Sequence, residues 1–415
     1  MIQHVVPIAG LLASTYLLLA GNGLVSVLLP VRASIEDWSA IAVGWVGFGY
    51  ALSFTAGCLI VPRMVLRVGH VRVYAVMAAL SAISVLLCAL FVHPLTWVLF
   101  RGIGGFALAG CYMIVESWLN ERTANEIRGQ VFSIYMVVSM VGMSSGQLLL
   151  SADDPTKAVL FMVAALLFTA AVIPTGLSNA TSPRPLSQVS VDMRSLFRNS
   201  PLAFVGTTTV GFIIGAFMFQ MPVFFEQNGV AESRIATLMA LAMIGGMIFQ
   251  FPLGRMSDRM DRRYVILLAA ALGLISCVLL TLLAGGSLVV FAALILLLGG
   301  VMAPLYSLLV AHANDHAGSD EFVEIASGLL IVYGAGSMAG PVVSGLIMDA
   351  VGINGFFITL AACYFGFAAF TAWRMFRREA VPPEETTDFA YTPPVPSTHT
   401  PEMIQLDPRA EEAAE

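Results

Sequence analysis

Read by hydrophobic and polar positions, the chain is one unit repeated: an unbroken apolar run, then a short polar break. The runs lie near residues 6–30, 40–61, 72–92, 96–119, 129–150, 158–177, 202–224, 234–253, 264–284, 287–312, 324–346 and 353–374. An apolar stretch of roughly 20 residues crosses a ~30 Å hydrocarbon core as a helix. The apolarity is continuous rather than alternating, which excludes barrel strands, and lipid allows only helices or closed barrels to span it. The pattern predicts an all-α membrane protein with twelve transmembrane helices. The first run lacks a basic n-region and a small-residue cleavage site, so it reads as a retained helix rather than a signal peptide.

Two polar stretches divide the chain. Residues 178–201, SNATSPRPLSQVSVDMRSLFRNSP, separate six spans from six. They predict a cytoplasmic linker between an N-terminal six-helix bundle (1–177) and a C-terminal one (202–376). Residues 377–415 hold a Pro/Thr-rich and acidic segment with little to fold around, which reads as a disordered cytoplasmic tail. The halves also repeat. Arg63, Met64 and Arg67 coincide with Arg255, Met256 and Arg259, and Tyr135, Ser139, Met140 and Gly142 with Tyr333, Ser337, Met338 and Gly340. A duplicated six-helix unit follows: two pseudo-symmetric bundles with a site near the midplane between them, as many secondary transporters are built.

Composition agrees. The chain is 58% hydrophobic and 11% charged, with a mean hydropathy of +0.86. The net charge of −6 says little about partners, because the acidic tail supplies much of it. Its distribution says more. Fifteen arginines fall in one set of connections, and three basic residues, Arg32, Lys157 and Arg234, fall in the other. The positive-inside rule then places both termini in the cytoplasm. The five cysteines sit inside apolar runs without metal or disulfide spacing, and read as helix-packing residues.

The stretch GRMSDRMDRR (254–263) resembles the loop signature of the major facilitator superfamily through Gly254, Asp258, Arg259, Arg262 and Arg263, with Asp261 where glycine is usual. The first-half copy departs from it: Pro62 and Leu66 replace the Gly and the Asp, while Arg67 and Gly69 remain. RGIGGFALA matches a second pattern of that superfamily through Arg101, Gly105 and Ala109. VESWLNERTANEIRGQ (115–130) and PLYSLLVAHAND (304–315) are similar to one bacterial branch, the YcaD-like facilitators. The resemblance implies a monomeric secondary transporter of the bacterial inner membrane. It also implies a cavity lined by the first, fourth, seventh and tenth helices, and a cytoplasmic latch. Gly254, Asp258, Arg259, Arg262 and Arg263 would form that latch, with Arg67 and Arg128 at the same gate. Because Leu66 cannot accept a hydrogen bond, the expected gate is one-sided.

Six residues are candidates for the solute or coupling path. Arg101 either snorkels to the headgroups or faces the central path, where it would attract an anionic group or control a proton site. Glu116 is either a protonatable coupling site or a structural partner of Arg122, Arg128 or Arg63. His312, with His316 four residues on, admits a metal ligand, a proton-sensitive gate residue or a cation at a helix C-terminus. Asn22, Gln220 and Tyr306 fit either solute contact or interhelical glue.

No Walker loop, G-x-S-x-G, H-E-x-x-H or C-x-x-C occurs, so an enzyme, a metal and a cofactor are not expected, nor is a nucleic-acid partner. The function expected is proton-coupled uptake of a small organic solute by alternating access. Efflux by proton antiport, and a non-transporting receptor on a carrier fold, are the alternatives.

Overall fold

The structure, a computed structural model, describes residues 8–122, 128–176, 193–283, 287–316 and 322–377. The described residues contain twelve helices long and apolar enough to cross a membrane. In chain order they are α1 (Ala9–Ile35), α2 (Ala40–Val68), α3 (His70–Leu90), α4 (Pro94–Arg122), α5 (Arg128–Leu148) and α6 (Val159–Ala170, continuing as Val172–Gly176). The second six are α7 (Pro201–Gln227), α8 (Glu232–Ser257), α9 (Arg262–Leu282), α10 (Leu288–Asn314), α11 (Phe322–Val351) and α12 (Gly355–Met375). Several run past their apolar runs: α1 ends five residues, and α2 seven residues, beyond the predicted limits of 30 and 61. The overruns carry arginines, Arg32 in α1 and Arg63 and Arg67 in α2, so the helices continue into the polar boundary. Within the linker, Met193–Asn199 forms a short helix; residues 177–192 and the tail lie outside the described residues.

The two halves pack by one plan. In the first, α1 pairs with α5, α2 with α4, and α3 with α6; in the second, α7 pairs with α11, α8 with α10, and α9 with α12. Small residues make these seams close, as they do where lipid gives apolar faces no reason to associate. A methyl at Gly23 would overlap the Met143 carbonyl across α1 and α5, and one at Gly211 the Tyr333 carbonyl across α7 and α11.

Between the bundles, α2 packs along α11 and α5 meets α8, while α7 touches α1 and α2. The connections after α1, α3, α5, α7, α9 and α11 define an arginine-poor end, and the others an arginine-rich end.

Candidate functional site

Three contacts tie the bundles together at the arginine-poor end. Near the end of α11, Asp349 accepts hydrogen bonds from the Ala40 and Ile41 amides in the first turn of α2, at 2.9 and 3.0 Å. Those amides are donors a helix start leaves unsatisfied, and the macrodipole favours a carboxylate there. Gln220 of α7 is fully buried, and its Nε2 donates to the Ala40 carbonyl of α2 at 2.8 Å and the Pro341 carbonyl of α11 at 2.9 Å. The Ser34 hydroxyl of α1 donates to the Glu226 carboxylate of α7. Beside these, the Phe219 ring of α7 packs onto Gly47 of α2, where an added Cβ would come within 2.8 Å of it.

Arg101 lies just beneath this seal. It is seven residues into α4, about 10 Å from the helix start at 1.5 Å per residue. Its side chain does not snorkel: it is 3% exposed, and its guanidinium carbon sits 4.3 Å from the Tyr50 ring centre. Among the described residues it makes no hydrogen bond and no ion pair, and Nε is buried without a partner. A desolvated cation–π contact contributes about 2 kcal/mol or more. A buried arginine in lipid costs about 2.5–3.5 kcal/mol even on a lenient scale, so Tyr50 does not fully offset it. Phe54, Tyr112 and Phe219 complete the aromatic surround, with ring centres 6.0–6.3 Å apart along the chain of contacts.

Toward the arginine-rich end of α4, Glu116 is fully buried and accepts a 2.6 Å hydrogen bond from the Tyr135 hydroxyl of α5. It stands fifteen residues from Arg101, about 22 Å along the helix. Asn22 is buried in α1, its Nδ2 3.9 Å from the Met143 sulfur and its Oδ1 without a hydrogen-bond partner among the described residues. Tyr306 of α10 meets Tyr333 of α11 edge to face at 5.3 Å. His312 is buried at the end of α10, and its ring lies 4.6 Å from that of His316. Among the described residues no three His, Cys, Asp or Glu side chains gather as a metal site. The six candidates therefore form no single cluster: Arg101 and Gln220 belong to the arginine-poor half, Glu116 and His312 to the arginine-rich half.

The gate candidates divide. Gly254 is buried at the end of α8, and its carbonyl accepts from the Ser257 hydroxyl at 2.8 Å. Asp258, Arg259 and Arg67 are exposed. Arg262 is buried instead, in an ion pair with Asp315 at the end of α10: Nε lies 3.0 Å from Oδ2 and both side chains are 2% exposed. Arg263 grips Asp261, with Nε 3.0 Å from Oδ1 and Nη2 2.7 Å from Oδ2. The Arg128 side chain lies outside the described residues.

Sequence reasoning missed Asp349, whose cue is a lone acid where α11 runs out of apolar residues. It missed Asp315 as the partner of Arg262, and Tyr135 as the partner of Glu116.

The sequence model described as Major Facilitator Superfamily matches residues 11–231 and 203–401. An uncharacterized MFS-type transporter of Yersinia pestis (strain Pestoides F) is 28% identical over 362 residues, covering 86% of this chain and 93% of the relative. The uncharacterized MFS-type transporter YcaD of Escherichia fergusonii is 26% identical over 365 residues, with the same coverage. Among solved structures, the nucleoside transporter NupG superposes with a TM-score of 0.77 at 13% identity, covering 89% of this chain and 99% of that one. A bacterial homologue of the human lysosomal transporter Spinster, inward-facing and occupied, superposes with a TM-score of 0.73 at 15% identity, covering 92% and 98%. These structures share the fold. The relatives are membrane transporters and not enzymes, and the chain belongs to the major facilitator superfamily.

Proposed function

We propose that this protein is a monomeric, proton-coupled secondary transporter that takes up a small organic solute across the bacterial inner membrane by alternating access. The observation that carries the reading is the cross-bundle seal at one end with an uncompensated cation directly beneath it. A carrier needs a gate that joins its two bundles on one side and a polar site reached when that gate parts. Asp349, Gln220 and Glu226 supply the gate, and Arg101 the site. The positive-inside bias supports an arginine-rich end and both termini in the cytoplasm, and in this reading the seal faces outward. Glu116, buried against Tyr135 toward the cytoplasmic half, is the proton carrier in this reading.

The test is exchange in proteoliposomes. Solutes that raise the thermal stability of the purified protein are assayed for counterflow, then for accumulation under an imposed pH gradient. Accumulation on the alkaline side, abolished by Glu116→Gln while counterflow persists, is expected. Accumulation with the opposite gradient sense would establish efflux, and binding without exchange in several lipid mixtures would establish a receptor.

A further inference from the structure

We propose that the solute is a small monoanion with an apolar body, a monocarboxylate in its simplest form, and that Arg101 receives its charged end. This rests on the transport reading above. Arg101 opens on a small pocket whose walls are otherwise hydrocarbon and aromatic: Val25, Leu29 and Val46, with Trp97 and Phe219. It is the one charged residue lining that pocket, and its guanidinium has no acid to neutralise it among the described residues. A buried charge in such surroundings is stable only when paired, and the protein leaves the pairing to something else.

Counting charges then narrows the class. A monoanion neutralises Arg101 and buries no further charge. A dianion brings a second negative charge with no cation in the wall to meet it. A zwitterion brings a cation, and no lining residue is acidic. A neutral solute leaves the arginine as it was. The planar guanidinium accepts a carboxylate through two parallel hydrogen bonds, which fixes orientation as well as charge. The Tyr50 ring centre lies 4.3 Å from the guanidinium carbon, and among the described residues no group takes the guanidinium's hydrogen bonds. Trp97 and Phe219 would flank the apolar body once separation of the bundles enlarges the pocket, which in this state holds no more than a water molecule.

The walls come from both bundles. Val25, Leu29, Val46, Trp97 and Arg101 belong to α1, α2 and α4, while Phe219 belongs to α7. Separation of the bundles therefore withdraws Phe219 and opens the pocket, and closure of the seal narrows it. Phe219 acts as the lid of the site, since its ring rests on Gly47 and lies 6.2 Å from the Tyr50 ring.

The probes are benzoate, phenylacetate and hexanoate, their neutral amides benzamide, phenylacetamide and hexanamide, and the dianions phthalate and succinate. Binding to the purified full-length protein is read by thermal shift and titration calorimetry. At least one monocarboxylate should stabilise the protein in a concentration-dependent way and bind at least about tenfold tighter than its amide, with the dianions no better than the amides. Arg101→Gln should abolish that preference, and Arg101→Lys should keep part of it, since lysine keeps the charge without the planar fork. Absence of stabilisation by all three acids overturns the proposal, as does equal binding of acid and amide. So does undiminished acid binding by a monodisperse Arg101→Gln protein. Should that variant not fold, the acid-to-amide ratio in the unaltered protein decides alone. Acid-selective binding lost in Arg101→Gln, but without counterflow in proteoliposomes, overturns the transport reading and leaves the site standing.

Discussion

The turn from α2 to α3 and the turn from α8 to α9 occupy the same place in the two halves, yet they are built differently. In the first, a single residue joins the helices: Gly69, at φ 86° and ψ 159°. Arg63 turns back onto its own helix, donating to the Leu59 carbonyl at 2.8 Å, and His70 tucks beneath Trp118 with ring centres 6.0 Å apart. In the second, charge does the joining. Asp261 caps α9 by accepting from the Arg263 amide at 3.0 Å, and the Arg263 side chain closes on the same carboxylate. Arg262 reaches inward to Asp315 on α10. The duplicated turn has kept its position and exchanged its means, backbone geometry and aromatic packing in one half for ion pairs in the other. Two of the four arginines in GRMSDRMDRR thus meet acids, while Asp258 and Arg259 lie on the exposed side of the turn.

The ion pair is where the comparison breaks most severely. Replacing Asp315 with Leu removes the carboxylate 3.0 Å from the buried Arg262 Nε, a loss of up to about 3–5 kcal/mol. The thermal midpoint in detergent should fall by many degrees, and the pair Arg262→Met with Asp315→Leu should regain most of it, because replacing both partners removes the buried cation together with its acid. A silent Asp315→Leu would mean that charge does not hold this turn.

The other turn has its own weak point. Gly69 occupies backbone space that is essentially reserved for glycine, so Gly69→Ala should cost about 1–3 kcal/mol through strain alone. Calorimetry of the pair of turns would then compare like with like. A Gly69→Ala protein as stable as the original would show that the turn relaxes, and that α3 is positioned by His70 and Trp118 instead.

Asp261→Ala removes a helix cap and the partner of Arg263, a loss of about 0.5–2 kcal/mol. Asp261→Asn keeps the cap and should retain part of the stability. Asp261→Gly, which restores the residue usual in the superfamily signature, should lose the Arg263 contact as Ala does. A melting series across the three variants separates the cap from the ion pair.

What the sequence disclosed follows the same division. The spans were legible because lipid imposes length and apolarity on every crossing helix, and the repeat because Tyr135 and Tyr333 sit in equivalent helices on matching glycine seams. The cross-bundle contacts were not. Asp349 meets Ala40 across 309 residues of chain, and nothing local in either segment marks the other. Gln220 read as either a solute contact or glue, and only the fold shows it reaching two carbonyls on different helices. Arg101 was visible as an anomaly in an apolar run, but its lack of a partner is a property of the packed bundle. Arg262 was expected at the gate because the signature groups it with Asp258; its contact with Asp315 depends on α10, a helix that begins 26 residues further on.

The smallest expected effect on stability tests what remains of the gate. Leu66 stands where the second half has Asp258, and it is 63% exposed, so Leu66→Asp sacrifices little packing and buries no charge. The change in stability should stay within about 0.5 kcal/mol. Its effect on gating should not be small if a carboxylate at this place helps close the arginine-rich end, because the substitution gives the first half what the second already has. Thr55 lies in the seam between the bundles, its hydroxyl 3.2 Å from where a Cβ on Gly334 would stand. A Thr55→Cys reporter, with the native cysteines replaced by serine, reads access to that seam from the arginine-rich side through its labelling rate with an impermeant maleimide. Leu66→Asp should slow labelling and Asp258→Asn should speed it. If neither substitution moves the rate, the acidic position contributes nothing to gating, and the two turns differ only in how they hold their helices.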